Sequence, residues 1–133
     1  MSPKENKSAI QGIYAAFGRG DIPAVLDALT DDIEWTFHGP PEIPYAGRHR
    51  GRDAIARFFT IVSEVATIKE FVPQKFLADE ETVAVLGRER VTARRTGREF
   101  DVEWIHVFVF RGDRVAEIFE FTDTAALAAA YGT

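Results

Sequence analysis

Up to Val65 the apolar residues of this chain recur at helical spacing; from residue 68 to residue 122 they recur at every second position. A period that changes once, from about 3.6 to 2, demands helices packed on a sheet. The alternating part reads as strands at 68–77, 82–95, 99–110 and 115–122. Asp79-Glu80-Glu81, Thr96-Gly97 and Gly112-Asp113 separate them, and all three are turn-prone. Strands joined by such short turns form an antiparallel meander, one curved sheet.

The helical part divides at its breakers. Ile10, Ile13, Tyr14 and Phe17 share a face over residues 6–18, and Gly18 and Gly20 end that helix. Asp21 caps a second helix, with Pro23 in its first turn and Ile22, Val25, Leu26 and Leu29 as its buried stripe. Residues 33–37 make a short strand. The next fourteen residues, HGPPEIPYAGRHRG, hold three Pro and three Gly and read as an ordered loop. Asp53 is placed to cap a third helix, where Ile55, Phe58, Phe59, Val62 and Val65 share a face. Thr122, Asp123 and Thr124 offer a cap for a short last helix, TAALAAAY. The expectation is one α+β domain over residues 1–133, with three helices closed over the concave face of the sheet and a pocket between them.

Both faces of the strand EWIHVFVF are apolar: Trp104, His106, Phe108 and Phe110 alternate with Ile105, Val107 and Val109. Helices can cover one face only. A second copy of the chain is the simplest cover for the other, which predicts a homodimer packed through the sheet.

Composition closes several routes. The chain has no cysteine, which excludes thiol catalysis, disulfides and thiolate metal sites and fits a cytoplasmic protein. Its net charge is −5, and the one basic run, ERVTARRTGRE, is mixed with Glu across a turn, so no nucleic-acid partner is expected. No apolar run reaches membrane-spanning length, and the opening MSPKENKSA does not read as a signal peptide. Eleven Phe, two Trp and three Tyr suggest an aromatic core or an aromatic-lined cavity. No phosphate-cradling glycine loop or nucleophile elbow is present.

His106 is the chemistry-bearing residue of its strand, and Glu120, between Phe119 and Phe121, is its counterpart on the next. Whether they meet depends on the hairpin register. A two-residue turn pairs Arg111 with Arg114 and puts His106 opposite Phe119, leaving Glu120 on the other side of the sheet. One bulge, or a three-residue loop, puts His106 opposite Glu120 and Phe108 opposite Ile118. The residues alone leave both open. Paired in a low-dielectric pocket, an imidazole and a carboxylate can act as acid and base; they can equally be a buried structural pair.

GIYAAFGRGDIPAVLDALTDDIEW, GPPEIPYAGRHRGRDAIARFF and EWIHVFVFRGDRVAEIFEFTDTAALAAAY together resemble the SnoaL-like branch of the nuclear transport factor 2-like superfamily. That superfamily also includes ketosteroid isomerases and limonene epoxide hydrolases. The resemblance covers nearly the whole chain. It implies a cone-shaped α+β fold with a deep pocket and a mostly antiparallel sheet, usually dimeric. It also implies a polyketide cyclase-like or isomerase-like proton transfer needing no cofactor and no metal. Glu120 matches the position of the cyclases' acid/base Asp and His106 that of their histidine, which favours the bulged register. The isomerase base falls near Phe37, which cannot abstract a proton. Of the epoxide hydrolases' Asp-Arg-Asp set, Arg90 and Glu120 fall near two positions, but Thr92 stands where an Asp is needed.

The expected ligand is an apolar, cyclic, oxygen-bearing molecule. Tyr14 either packs in the core or turns its hydroxyl to a ligand oxygen, and Tyr45 is expected at the pocket mouth. Trp35, Phe37 and Phe58 are expected to line the pocket, with Trp104, Phe108 and Ile118 from the sheet. His38, His49 and Glu42 flank the Pro/Gly loop without metal-pair spacing. Arg88, Glu89 and Arg90 follow Gly87, a candidate bulge, so their facing is open. The rival to catalysis is a binding module of the same fold, with an epoxide hydrolase-like reaction third.

Overall fold

The computed structural model describes residues 1–132. Its elements run α1 (Pro3–Gly18), α2 (Ile22–Asp27), β1 (Leu29–Phe37), β2 (Gly47–Arg50), α3 (Arg52–Val65), β3 (Ala66–Ala78), β4 (Thr82–Ala93), β5 (Glu99–Arg111), β6 (Arg114–Thr122) and α4 (Thr124–Tyr131). The six strands form one mixed, curved, unclosed sheet in the order β2-β1-β6-β5-β4-β3. β3 to β6 are the meander that the alternation predicts. β1 joins it alongside β6 in parallel, with Trp35 beside Ile118 and Phe37 beside Glu120.

Local chemistry sets the helix ends. Ser2 accepts from the Glu5 N–H while the Glu5 carboxylate accepts from the Ser2 N–H, so α1 starts at Pro3 rather than residue 6. Asp21 caps α2 through the Ala24 N–H, as expected, but α2 ends at Asp27 and Leu29 opens β1. Asp53 caps nothing: Gly51, at φ 85°, stands at the cap position of α3 and Asp53 sits in the first turn, where its charge favours the helix dipole. Part of the Pro/Gly loop is an edge strand, β2, whose residues Gly47 to Arg50 pair with β1 through backbone bonds.

The last hairpin combines the two registers that the sequence allows. Arg111 faces Arg114 across a two-residue turn, with Gly112 at φ 66°. Phe110 faces Val115, but Val109 faces Glu117, so Ala116 is an extra residue bulged out of the ladder. Beyond it Phe108 faces Ile118, and His106 faces Glu120.

The helices cover the face that carries Val83, Val85, Val91, Phe100, Trp104 and Phe108, all buried. The opposite face carries Leu77, Leu86, Ile105 and Phe121, each more than a third exposed. Among the described residues no helix is long and apolar enough to cross a membrane.

Candidate active site

Between the concave face and the helices lies a cavity. Its empty space, mouth included, is about 730 Å³, of which about 90 Å³ can hold the centre of a water-sized molecule. One water needs roughly 10–15 Å³ on that measure, so the room suits a small organic molecule. α1 contributes Ile13, Tyr14 and Phe17 to the walls; α3 contributes Phe58, Phe59 and Val62; β1 contributes Trp35 and Phe37. Phe71, Val91 and Phe108 complete an almost wholly apolar lining. Six side chains with polar atoms interrupt it: Glu89, His106 and Glu120 on three neighbouring strands, Tyr14 on α1, Trp35 on β1 and Tyr45 on the loop after it.

Four of those six are linked. The Tyr14 hydroxyl is 2.7 Å from Nδ1 of His106. Nε2 of the same ring is 3.1 Å from Oε2 of Glu120, and Trp35 Nε1–H donates to Glu120 Oε1 at 2.6 Å. A carboxylate can only accept, so a neutral His106 ring must carry its proton on Nε2 and accept the Tyr14 O–H at Nδ1. Burial, reinforced by the Glu120 charge, pushes the Tyr14 hydroxyl well above the usual tyrosine range, so that proton stays in place. Tyr14 therefore spends its one O–H on His106, not on a ligand.

Aromatic packing fixes the imidazole plane. Trp104 stacks on His106 with ring centres 4.0 Å apart and planes 16° apart. Phe71 also stacks on Trp104, at 4.9 Å, and lies 6.2 Å from the His106 ring. Trp104 can lie flat there because β4 has a glycine beneath it. A Cβ on Gly87 would come within 2.3 Å of the indole and 2.6 Å of the Val72 carbonyl. Phe58 and Phe59 pack on Trp35, at 5.0 and 5.4 Å, and hold the donor to Glu120.

Of the residues proposed as lining, Tyr14, Trp35, Phe37, Tyr45, Phe58 and Phe108 do line the cavity. Trp104 and Ile118 do not: Trp104 forms the layer behind His106, and Ile118 is core. Tyr45 is not a mouth residue. It is buried in the wall, and its hydroxyl meets that of Tyr131 in α4 at 2.8 Å. His49 bonds the Tyr45 carbonyl, whereas His38 stacks on the partly exposed Phe121, so the loop histidines serve separate packing roles.

Glu89 is the residue that sequence reasoning left undecided. Gly87 is not itself a bulge in β4; the irregularity lies opposite, between Pro73 and Lys75 of β3. Parity therefore runs unbroken from Val83 through Val85, Glu89 and Val91 to Ala93, all turned inward. Arg88 and Arg90 turn outward to Glu70, and Arg90 also meets Glu99. Burial, with the Glu120 charge behind it, pushes the Glu89 carboxyl up to about 8.

The profile of the SnoaL-like domain family matches residues 10–118. The chain belongs to that family. Solved structures bear out its fold. An NTF2-like protein from Burkholderia xenovorans is 36% identical, with 99% of each chain covered and a TM-score of 0.92. An NTF2-like protein from Burkholderia thailandensis is 29% identical over 100% of this chain and 99% of its own, with a TM-score of 0.88. A proposed polyketide cyclase from Xanthomonas campestris shares the SnoaL-like chain's fold, with a TM-score of 0.78 over 98% of each chain, at 19% identity. Among proteins of curated function, none matches the sequence.

Proposed function

We propose that the SnoaL-like chain binds an apolar cyclic ketone or related oxygen-bearing molecule and moves a proton next to its carbonyl, without a cofactor. The observation that carries this reading is the chain Tyr14–His106–Glu120–Trp35 at the wall of an apolar cavity. Glu120 is the base. Two donors from different strands fix its carboxylate, as a group that must meet one C–H bond requires. His106 orients it and, with Tyr14 behind, steadies charge that develops nearby.

The test needs no knowledge of the natural substrate. 1-Indanone, 1-tetralone and anthrone are incubated with the protein in D₂O, and exchange of the acidic C–H hydrogens, next to the carbonyl in the first two and on the methylene across the ring from it in anthrone, is followed by NMR. Protein-dependent exchange that Glu120→Gln abolishes supports the reading. Exchange indifferent to that substitution, or none with any ketone, sinks it.

A second reading has its own support. Both Glu120 oxygens already accept from the protein, which also suits a structural pair in a binding module. Under it the ketones bind and do not exchange. We also propose that the convex face packs against a second copy of the chain, since Leu77, Leu86, Ile105 and Phe121 are bare there. Light scattering that gives a monomer mass rejects this. A cytoplasmic location is proposed from the absence of cysteine.

A further inference from the structure

Glu89 has no role in the chain of hydrogen bonds around Glu120, yet it lines the same cavity. It stands on β4 between Phe71 of β3 and Val102 of β5. Among the described residues no donor reaches its carboxyl, and no lysine or arginine lines the cavity to neutralise a charge there. A carboxyl group in apolar surroundings without a partner costs free energy unless something bound supplies one.

We propose that Glu89 is the second polar anchor for the ligand, its neutral carboxyl donating the O–H to a carbonyl oxygen while the carbon acid lies against Glu120. This rests on the proton-transfer reading above and narrows its substrate class. With Glu120 charged and no lysine or arginine among the described lining residues, the cavity favours an uncharged ligand over a carboxylate or phosphate. The two glutamates belong to positions four residues apart along β5, counted through their partners Val102 and His106, and are two strands apart. That is about 13 Å along the sheet and about 10 Å across it, shortened by two side chains that reach inward. The spacing suits a fused-ring skeleton that conjugates the carbonyl with the acidic C–H.

The step balances within the ligand and the two side chains. Glu120 takes the proton from carbon. The C–H pair becomes a C=C bond, the conjugated π pair moves to oxygen, and the oxygen takes its hydrogen bond or proton from Glu89. Return of a proton from Glu120 to a ring carbon, with the Glu89 proton restored, gives the isomerised ketone.

The groups that face Glu89 are Glu120 from β6, Tyr45 from the loop after β1 and Tyr131 from α4, with His106 and Tyr14 elsewhere on the lining. Burial raises Tyr131 to about 12 and Tyr45 beyond the usual range, so neither ionises between pH 6 and 9.

The experiment compares affinities for the three ketones with those for indane, tetralin and 9,10-dihydroanthracene, read by tryptophan quenching. At pH 6 at least one ketone should bind about tenfold tighter than its hydrocarbon, the worth of one hydrogen bond. The preference should fade as pH rises through about 8. Glu89→Gln, which keeps a donor, should hold it at every pH, and Glu89→Leu should lose it at pH 6. No ketone preference in the wild type, or an undiminished one in Glu89→Leu, overturns the proposal. Deuterium exchange separates the two readings. Preference without exchange retains Glu89 as an anchor and rejects catalysis, whereas exchange without preference rejects the anchor alone.

Discussion

Arg88, Glu89 and Arg90 are neighbours in sequence and belong to two different electrostatic worlds. The arginines lie on the convex face, where Arg88 meets Glu70 at 2.9 Å and Arg90 meets Glu99 at 3.3 Å with all four side chains more than a third exposed. Glu89 lies on the concave face among aromatic rings. Water screens the outer network, so its geometry is nearly free to change. Inside, the same charge has no screen. A pleat of one residue thus decides whether a charge is incidental or chemically consequential.

That contrast can be tested by substitution on each side. The largest effect belongs to Glu120→Gln, which keeps the side-chain shape and removes the base. Exchange rates should drop roughly 10²- to 10⁴-fold while ligand binding persists. A loss of binding as well would mean that Glu120 is an anchor and not a base.

Glu89→Gln should alter the pH dependence of stability. The unfolded carboxyl titrates near 4.5 and the folded one near 8. Between those values the folded state holds the extra proton, so unfolding stability falls as pH rises from 4.5 to 8 and then levels. The full difference is at most about 5 kcal/mol. Urea midpoints at pH 5 and pH 9 measure it, and the variant should lose most of the slope. A wild-type slope of zero in that window would mean that Glu89 ionises normally.

Gly87→Ala should destabilise by about 2–3 kcal/mol, because its Cβ collides with Trp104 and the Val72 carbonyl. It should also shift the His106 ring resonances. A stability loss without any shift would separate Trp104 from the positioning of His106. The smallest effect is expected outside. Glu70→Gln should cost less than about 1 kcal/mol, and less still in high salt. A larger cost would show that the convex network is buried, as a subunit interface would make it.

The same contrast explains what could be read from the chain. The meander was legible because Phe100, Val102 and Trp104 alternate with Glu99, Asp101 and Glu103, and because Gly97 and Gly112 mark the turns. α1 was read short because its start depends on a reciprocal Ser2–Glu5 cap, not on apolar spacing. β2 left no mark: Gly47, Arg48, His49 and Arg50 carry no alternation, and their strand exists because β1 offers backbone partners. The parallel pairing of β1 with β6 joins residues about 80 positions apart, beyond any local pattern. At the site, His106 and Glu120 were visible as ionisable residues in apolar strands, but their meeting turned on Ala116, a residue with no turn or bulge preference to announce it. Glu89 was on the page through its parity with Val85 and Val91; the glycine beside it obscured the count. Trp104 looked like a wall because the sequence cannot show that a missing Cβ at Gly87 lets the indole lie flat.

Ala116 also bears on how such a site tolerates change. Counted back from the Gly112-Asp113 turn, Glu120 lies one residue too far along β6 to face His106, and the bulge absorbs the surplus. The hairpin therefore carries one residue of slack. Losing the codon for Ala116 would use up that slack and leave a straight ladder with the same two side chains still opposed. The lineage of this chain could gain or lose that residue without moving its chemistry, so a length difference in this hairpin between relatives is no sign of a different reaction.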